Sequence, residues 1–504
     1  MVNPSEKLAE SLDALEALQR KGSVAIRSRD LSRRHRERLL ENGFLQEVMK
    51  GWYIPGRPEE TRGESTSWFA SFWSFCAAYL ETRFEDQWSL SPEQSITLHI
   101  GNWSVPQQLL VRAPKARNKV TPLAHGTSLF ESRASIPEKS EGETINGLRV
   151  FKQPAGLTSA GPAFFRHSKN EARTALATIT DASKLLSVLL EGGHSTVAGR
   201  LAGAFRNIGR DRIADDILKS MKSAGYNVRE SDPFAEQYPA LLTDKAQSPH
   251  INRMQLMWQD MRKDVINEFV ITSEPGKDID KYLRIVDENY VTDAYHSLSI
   301  EGYRVSRELI EHVRSGDWNP DNNEADREQR DALAARGYYE AFQIVKSSVR
   351  KVLEGQNPGD VADIDHGDWY RALFSPGVQA GILKPADLAG YRNDQVFIRH
   401  STYVPPRHDA VRKLMPGFFE LLRDEESAPV RIVLGHYFFV YIHPYMDGNG
   451  RIGRFLMNVM MAAGGYPWTI IPVERRGEYM AALDAVCTDS DIRPFTRFIT
   501  SLIK

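Results

Sequence analysis

The feature that most constrains the fold is a polar, glycine-rich segment, HPYMDGNGRIGR, between two apolar stretches. It spans residues 443–454, with IVLGHYFFVYI before it and FLMNVMMAA after it. Apolar runs separated by a short polar turn are typical of two buried helices. Pro444 cannot continue a helix, so we expect the first helix to end near His443 and the second to begin at about Arg451.

The turn between these helices has the composition of an anion-binding site. The Gly and Asn residues of DGNG can adopt left-handed conformations, so that successive N–H groups point into one concavity. Arg451 and Arg454 are three residues apart, and both therefore leave the same face of a helix whose N-terminus is itself electropositive. Asp447 can hold Mg²⁺ against phosphate oxygens, and His443 can accept a proton near neutral pH.

Each of these features alone has a simpler structural explanation. A His at a helix end is usually a cap or a packed side chain, exposed arginines are usually solvated, and an Asp-Gly or Asn-Gly turn is usually only a turn. Their combination at fixed spacing between two apolar helices favours a polyphosphate site.

The segment resembles the signature of the Fic family, His-Pro-x-x-x-Asp-Gly-Asn-Gly-Arg-x-x-Arg, at every polar position. The segment GVQAGILKPADLAGYRNDQVFIRHSTYVPP, residues 377–406, resembles the region that leads into the Fic flap, and we expect a β-hairpin over 393–406. The resemblance covers about residues 285–500.

The resemblance implies transfer of AMP from ATP, with Mg²⁺, to a hydroxyl side chain of a target protein. His443 would be the general base and Asp447 the Mg²⁺ ligand. The phosphates would be bound by the other polar residues of the motif, which are Gly448, Asn449, Gly450, Arg451 and Arg454. The flap would align the target chain by strand addition through Val396, Phe397 and Ile398.

Two features of the sequence bear on which group is transferred and which base is bound. The Doc toxins of the same superfamily, which phosphorylate, carry Lys where this chain has Gly450, so AMP transfer is favoured. Some family members have Asn and a Tyr-Tyr pair near the base pocket, where this chain reads ERRGEYM. Tyr479 can stack on a base there, but the departure leaves the preference for adenine open.

A second motif, SLSIEG, occupies residues 297–302. Read alone, it is a capped helix end. It also resembles the Fic inhibitory motif Ser/Thr-x-x-x-Glu-Gly/Asn, here Ser297, Glu301 and Gly302, in the subclass whose inhibitory helix precedes the core. That resemblance implies that Glu301 pairs with Arg454 and deprives the γ-phosphate of its partner. The sequence leaves open whether the same Glu also helps to remove AMP.

The first 60 residues predict a small separate unit. SEKLAESLDALEALQRKG and SRDLSRRHRERLLENG read as helices, the second starting at Ser28 or Asp30 and stopping at Gly43, and FLQEVMKGWYIP reads as a hairpin. The pattern resembles the winged helix of abortive-infection antitoxins. A basic cluster predicts contact with duplex DNA or, equally, a solvated face; it consists of Arg20, Lys21, Arg27, Arg29, Arg33, Arg34, Arg36 and Arg38.

Residues 61–245 predict an α+β domain that faintly resembles the domain following the winged helix in those antitoxins. We expect strands at SITLHIG and QQLLVRA, helices at STSWFASFWSFCAAYLE, DASKLLSVLLEGG and GRDRIADDILKSMKSAG, and a linker over 228–250. No site is assigned to this region. Residues 251–504 are predicted to form the Fic domain, with its inhibitory helix near 290–302.

Composition limits the remaining possibilities. The chain has 504 residues and a formal net charge of −2, so nucleic acid could be bound only through a local patch. The two cysteines, Cys76 and Cys487, fit neither a disulfide framework nor a Cys-based zinc site, and they suggest a reducing cytoplasm. No membrane span or signal peptide is expected.

These observations predict a multidomain protein: a mainly α-helical Fic domain with a small β-hairpin flap, preceded by a winged helix and an α+β domain. The predicted function is autoinhibited protein adenylyltransfer, including self-modification. The alternative is a DNA-binding regulator whose Fic domain senses nucleotide without transferring it. The target protein and the oligomeric state, including a homo-oligomer, stay open.

Overall fold

The computed structural model describes residues 4–58, 66–234, 248–272, 278–315, 330–398, 401 and 403–503. Contacts between Cα atoms divide the chain into two compact units. The first comprises Met1–Arg253 with Phe397–Val404, and the second comprises Met254–Val396 with Pro405–Lys504. The greater part of the predicted linker, residues 235–247, lies outside the described residues. No helix among the described residues is long and apolar enough to cross a membrane.

The first 58 residues form two helices and an antiparallel sheet of strand order β1-β3-β2. The predicted hairpin is confirmed, with β2 and β3 joined at Lys50 and Gly51. The second helix starts later than predicted: Ser32 is its N-cap, because Asp30 is held by Arg27. The elements are α1 (Pro4–Gln19), β1 (Ile26–Arg27), α2 (Arg33–Glu41), β2 (Leu45–Met49) and β3 (Trp52–Pro55).

The next part of the first unit combines a four-stranded sheet, in which β5 and β7 are parallel, with a separate hairpin. The predicted helix at residues 65–81 and the predicted strand at QQLLVRA are confirmed. The strand predicted at SITLHIG is wrong, because Ser91 and Pro92 start a helix there, with Ser91 as its N-cap. The elements are α3 (Thr66–Phe84), β4 (Ser89–Leu90), α4 (Pro92–His99), β5 (Gln108–Ala113), β6 (Lys119–Pro122), β7 (Ser128–Arg133), β8 (Gly142–Ile145) and β9 (Leu148–Phe151).

Six short helices complete this region around an apolar core that they share with α4. The two helices predicted here, at residues 181–193 and 209–225, are confirmed as α8 and α10. The helices are α5 (Gln153–Ser159), α6 (Pro162–His167), α7 (Lys169–Ala177), α8 (Ser183–Glu191), α9 (Ser195–Asn207) and α10 (Asp211–Ser223).

The second unit is helical, and its centre is the predicted pair of apolar helices, α17 and α18, which pack on each other. Helix α14 packs against α15 and α18, and α12 packs against α14. The helices are α11 (Pro249–Glu268), α12 (Ile279–Ile300), α13 (Arg307–Ser315), α14 (Arg330–Leu353), α15 (Pro358–Gln379), α16 (His408–Asp424), α17 (Ala428–Ile442), α18 (Asn449–Ala463), α19 (Arg476–Asp489) and α20 (Arg493–Leu502). The first residues of α11, up to Arg253, are assigned to the first unit.

The β-hairpin predicted over 393–406 is not formed by the described residues of that segment, none of which lies in a strand. Side chains hold its two ends together instead: Gln395 Nε2 donates to the Pro405 carbonyl at 2.8 Å. Pro405 and Pro406 lack the N–H groups that a strand ladder requires, which explains why the sequence prediction fails here.

Candidate active site

The turn between α17 and α18 places His443 at the end of the first helix. His443 adopts a left-handed conformation, with φ 51° and ψ 61°, and its N–H still donates to Phe439. Its Nδ1 lies 3.2 Å from the Val440 carbonyl oxygen. Because a carbonyl only accepts, Nδ1 carries the hydrogen and Nε2 keeps its lone pair. Burial lowers the pKa of His443 to about 4, so the ring is neutral at pH 7 and can accept a proton.

Asn449 and Gly448 determine the conformation of the turn. The Asn449 side chain accepts the Tyr445 N–H at 2.9 Å and donates to the Tyr445 carbonyl at 2.8 Å, so its amide holds the loop and does not point to a ligand. Gly448 has φ +81°, and a Cβ there would lie 2.8 Å from Phe374 Cε2. Both conditions require glycine at this position.

Asp447 is the exposed carboxylate of the turn, with 62% of its side chain accessible. Its Oδ1 accepts the Gly448 N–H at 2.6 Å, and its Oδ2 lies 3.4 Å from Arg451 Nη2. The described residues contain no cluster of three or more His, Cys, Asp or Glu that could hold a metal by themselves. A single accessible carboxylate nevertheless fits Mg²⁺, which is usually bound by one or two carboxylates together with substrate phosphates.

Arg451 is 1% exposed and packs between two aromatic rings. Its guanidinium carbon lies 5.2 Å from the Tyr303 ring centre and 5.0 Å from that of Phe374. The guanidinium forms the wall of a surface cavity that is otherwise mostly apolar. Its Nε is buried and has no hydrogen-bond partner within the described part of the chain. The aromatic rings therefore fix the guanidinium while leaving donor capacity for an anion.

Arg454 is engaged by the end of α12. Its Nε donates to Ser297 Oγ at 2.9 Å, and its Nη2 donates to the Ser297 carbonyl at 3.1 Å and to Glu301 Oε1 at 2.6 Å. Ser297 and Glu301 are four residues apart, which places both on one face of the helix end. The contact that the motif resemblance implied is thus present in the structure.

The Glu301 carboxylate lies against the first turn of α18. A Cβ at Gly450, in the first turn of α18, would be 2.3 Å from Glu301 Oε1. Burial opposes ionisation, but the guanidinium groups of Arg454 and Arg451 outweigh it and hold the pKa of Glu301 below its ordinary value. The carboxylate is therefore charged at neutral pH and lies beside the first turn of α18. Gly302 follows with φ +87°, a conformation that ends the helix.

Two contacts fix the end of α12 in this position. His296 Nδ1 accepts the Val473 N–H at 3.1 Å, and Arg476 Nε donates to the Ile300 carbonyl at 2.8 Å. Val473 lies just before α19, and Arg476 is the first residue of α19. The end of α12, which carries Glu301, is thus held by these two contacts as well as by the contact with Arg454.

Tyr479 does not have the exposed position that base stacking requires. It is 2% exposed, its hydroxyl lies 2.7 Å from His436 Nε2, and its ring packs near Phe495 and Phe498. The helical spacing of α19 places this side chain in the core, so Tyr479 is not proposed as a nucleotide contact. In the flap, Val396 belongs to the second unit, whereas Phe397 and Ile398 are assigned to the first.

Sequence reasoning missed Arg392, which is 1% exposed. Its N–H donates to the Pro444 carbonyl at 2.9 Å and its Nε donates to the His443 carbonyl at 2.8 Å. A single arginine in a loop produces no periodic pattern. Its position within the Fic-like segment 377–406 was the only available signal.

Comparisons with known proteins find similarity to one family. The Fic/DOC family model matches residues 368–461. The chain is 31% identical over 220 residues to the protein adenylyltransferase Fic of Drosophila willistoni, covering 43% of this chain and 40% of that protein. It is 31% identical over 226 residues to the protein of the same name from Nematostella vectensis, covering 43% and 47%.

The chain thus spans less than half the length of these curated relatives. Among solved structures, Fic-1 of C. elegans is 20% identical, with 67% of this chain and 93% of that one covered and a TM-score of 0.35. The family match includes the whole turn from His443 to Arg454. Residues 368–461 of this chain are therefore similar to the Fic domain of the Fic/DOC family.

Proposed function

We propose that the chain is an autoinhibited protein adenylyltransferase that moves AMP from ATP to a hydroxyl side chain of a target protein, and to itself. The observation that carries the proposal is the ion pair between Glu301 and Arg454, at 2.6 Å, in the second turn of α18, the helix that follows His443. The names of the curated relatives, protein adenylyltransferase Fic, support the same activity.

In the proposed reaction, the target hydroxyl oxygen attacks the α-phosphorus of ATP in line with the leaving group. The new bond joins that oxygen to phosphorus, the bond between the α-phosphorus and the bridging oxygen breaks, and pyrophosphate leaves. His443 Nε2 takes the hydroxyl proton, and its neutral state supports this role. Protein catalysis of such a step consists mainly of positioning and charge neutralisation.

The proposed phosphate site, called the cradle, consists of the N–H groups of residues 448–450 together with Arg451 and Arg454. It would bind the triphosphate of ATP. The N-terminus of α18 favours negative charge at the same place. Asp447 would hold Mg²⁺ against the phosphates, and the bound ion supplies neutralisation of the charge on their oxygens. Arg451, fixed between two rings, needs no rearrangement to make its contact.

The proposed brake is the contact of Ser297 and Glu301 with Arg454. It acts because these residues compete with the γ-phosphate for one guanidinium. While Glu301 and Ser297 hold Nε and Nη2 of Arg454, the γ-phosphate lacks this partner and ATP binds unproductively. Nη1 of Arg454 is buried without a hydrogen-bond partner among the described residues, which supports a site shaped for a further anion. The same carboxylate beside the cradle is also the candidate for orienting water in AMP removal.

The test is self-modification of the purified chain with ATP labelled on the α-phosphate. We expect Glu301→Gly to label more strongly than the parent, because the guanidinium is released while His443 and Asp447 are unchanged. His443→Ala should abolish labelling but keep ATP binding, since the base acts on the incoming hydroxyl. ATP labelled on the γ-phosphate should give no signal, which separates AMP transfer from phosphorylation.

Arg454→Ala removes the anchor of the brake together with the phosphate contact. Glu301→Gly should therefore give no gain on that background, a non-additivity that a shared partner produces. Labelling of Glu301→Gly no stronger than the parent would contradict autoinhibition, and unchanged labelling of His443→Ala would contradict the mechanism. Mass spectrometry of the protein as purified, searching for attached AMP, tests self-modification directly.

The alternative function is a DNA-binding regulator whose Fic domain senses nucleotide. It is favoured by the basic cluster, in which Lys21, Arg29 and Arg34 are exposed. It is weakened by three ion pairs that neutralise other members of the cluster, namely Arg20 with Glu16, Arg27 with Asp30 and Arg33 with Glu37. Transfer of an α-label that depends on His443 would decide against it.

A further inference from the structure

We infer that Arg392 is a positioning residue that ties the main chain of the proposed base, His443, to both ends of the segment 393–406. The inference rests on the proposed function and on the alignment of the target chain that the Fic resemblance implies for this segment. Its role is to fix the distance between the target hydroxyl and His443 Nε2.

The contacts of Arg392 diverge to three parts of the chain. Nε donates to the His443 carbonyl at 2.8 Å, Nη1 donates to the Asp394 carbonyl at 2.9 Å, and Nη2 donates to the Pro406 carbonyl. The residue's own N–H donates to the Pro444 carbonyl at 2.9 Å. One buried guanidinium therefore connects the turn that follows α17 with the first and last parts of the segment.

The segment has other contacts, but these do not reach the base. Gln395 Nε2 joins its two ends through the Pro405 carbonyl, and Arg412 Nη2 donates to Asn393 Oδ1 at 2.6 Å. These contacts hold the segment to itself and to α16. Among the described hydrogen bonds, the link to the His443 carbonyl is made by Arg392.

His443 depends on such a link because it is the left-handed residue at which α17 ends. Beyond it, the regular hydrogen bonds of the helix no longer fix the direction of the main chain. The three carbonyls are bound by three different nitrogens of one rigid plane. A lysine ammonium has its three donors on a single nitrogen and cannot reproduce that spacing. Arg392→Lys keeps the charge but should let the segment and the base move relative to each other.

The expected consequence is selective. A misplacement of about 1 Å can cost about a hundredfold in rate, so we expect transfer to fall at least about tenfold. The proposed phosphate contacts of Arg451 and Arg454 involve other elements, so ATP affinity should stay within about twofold of the parent.

The experiment compares Arg392→Lys with Arg412→Lys, both in the Glu301→Gly chain. Arg412 is an exposed arginine that contacts the same segment, with Nη2 donating to Asn393 Oδ1 at 2.6 Å, but its described contacts do not include His443. We would measure the rate of α-label incorporation, the Kd for ATP by calorimetry, and Tm. Arg392→Lys should lose rate at unchanged Kd, and Arg412→Lys should match the Glu301→Gly chain.

Several results would overturn the inference: a full rate in Arg392→Lys, an equal loss in both variants, or a loss of rate matched by a loss of ATP binding. Arg392→Gln is measured beside them, and if both Arg392 variants fail to fold, the residue is structural and the inference is wrong. If the Glu301→Gly chain takes up no label, the proposed function itself fails. If that chain is labelled and Arg392→Lys is equally active, only the positioning role fails.

Discussion

At the scale of single residues, the protonation state of His443 decides when the proposed transfer can run. Burial lowers its pKa to about 4, and the ring accepts a proton only when neutral. The kcat/KM of the Glu301→Gly chain should therefore be flat from about pH 8 to pH 6 and fall only as the pH approaches the lowered pKa. Removing Glu301 does not reverse this effect, because a nearby carboxylate raises the pKa of a His.

The decisive comparison is the rate at pH 6 against that at pH 7.5. A His of ordinary pKa would lose about fourfold over this interval, whereas the buried ring should lose almost nothing. Titration of the His443 ring proton by NMR, assigned with His443→Ala, measures the same pKa independently. A midpoint near the ordinary value in both measurements would contradict the prediction.

Asp447 provides a second test at this scale. Asp447→Ala removes the accessible carboxylate of the turn, so it should abolish Mg²⁺-dependent transfer in the Glu301→Gly chain. Labelling would be measured with Mg²⁺ and with a chelator. The exposed Asp409 of α16 provides a matched control, since Asp409→Ala should keep the metal dependence. An Asp447→Ala chain that is equally active with and without Mg²⁺ would show that this carboxylate has another role.

At the scale of elements, the proposed autoinhibition depends on how firmly the end of α12 is held. The bond from Arg476 to the Ile300 carbonyl lies one residue before Glu301 and can be removed without touching the cradle. Arg476→Ala should loosen the helix end and raise labelling by about fivefold, the effect of losing a hydrogen bond of ~1 kcal/mol. This gain should be smaller than that of Glu301→Gly.

The neighbouring arginine offers a matched control. Arg475 pairs with Glu478 and contacts Ser501, so Arg475→Ala leaves α12 untouched. It should label like the parent chain. A gain in both variants would point to general loosening around α19, and no gain from Arg476→Ala would mean that the pair of Glu301 and Arg454 suffices to hold the brake.

The same elements indicate what a sequence can predict. The two helices around His443 were predicted because their signals are local: two apolar runs, Pro444, and glycines at the turn. The contact from Glu301 to Arg454 joins residues far apart in the chain, and it was anticipated only through a family resemblance. Arg392 gave no signal, since its contacts depend on the path of a loop. The strand predicted at SITLHIG failed because an N-cap overrode an alternating pattern.

At the scale of the whole molecule, charge decides whether the first unit can hold DNA. The chain as a whole carries −2, so binding must come from residues near α2 that are not already neutralised. Three arginines of the basic cluster pair with carboxylates, and Arg36 and Arg38 donate to main-chain carbonyls. Lys21, Arg29 and Arg34 remain exposed and have no ion pair among the described contacts.

Few phosphate contacts imply weak binding with a modest salt dependence. We expect the full-length chain to shift duplex DNA at about 50 mM salt and to lose most of this binding at about 200 mM, without preference for sequence. Arg29→Ala with Arg34→Ala should abolish the shift, or lower the salt slope by about two. The matched control replaces two exposed arginines of the same unit, Arg212 and Arg229, by Ala and should bind like the parent. Equal binding by all three chains, or no shift at low salt, would leave the cluster as a solvated face and would remove the remaining support for a DNA-binding regulator.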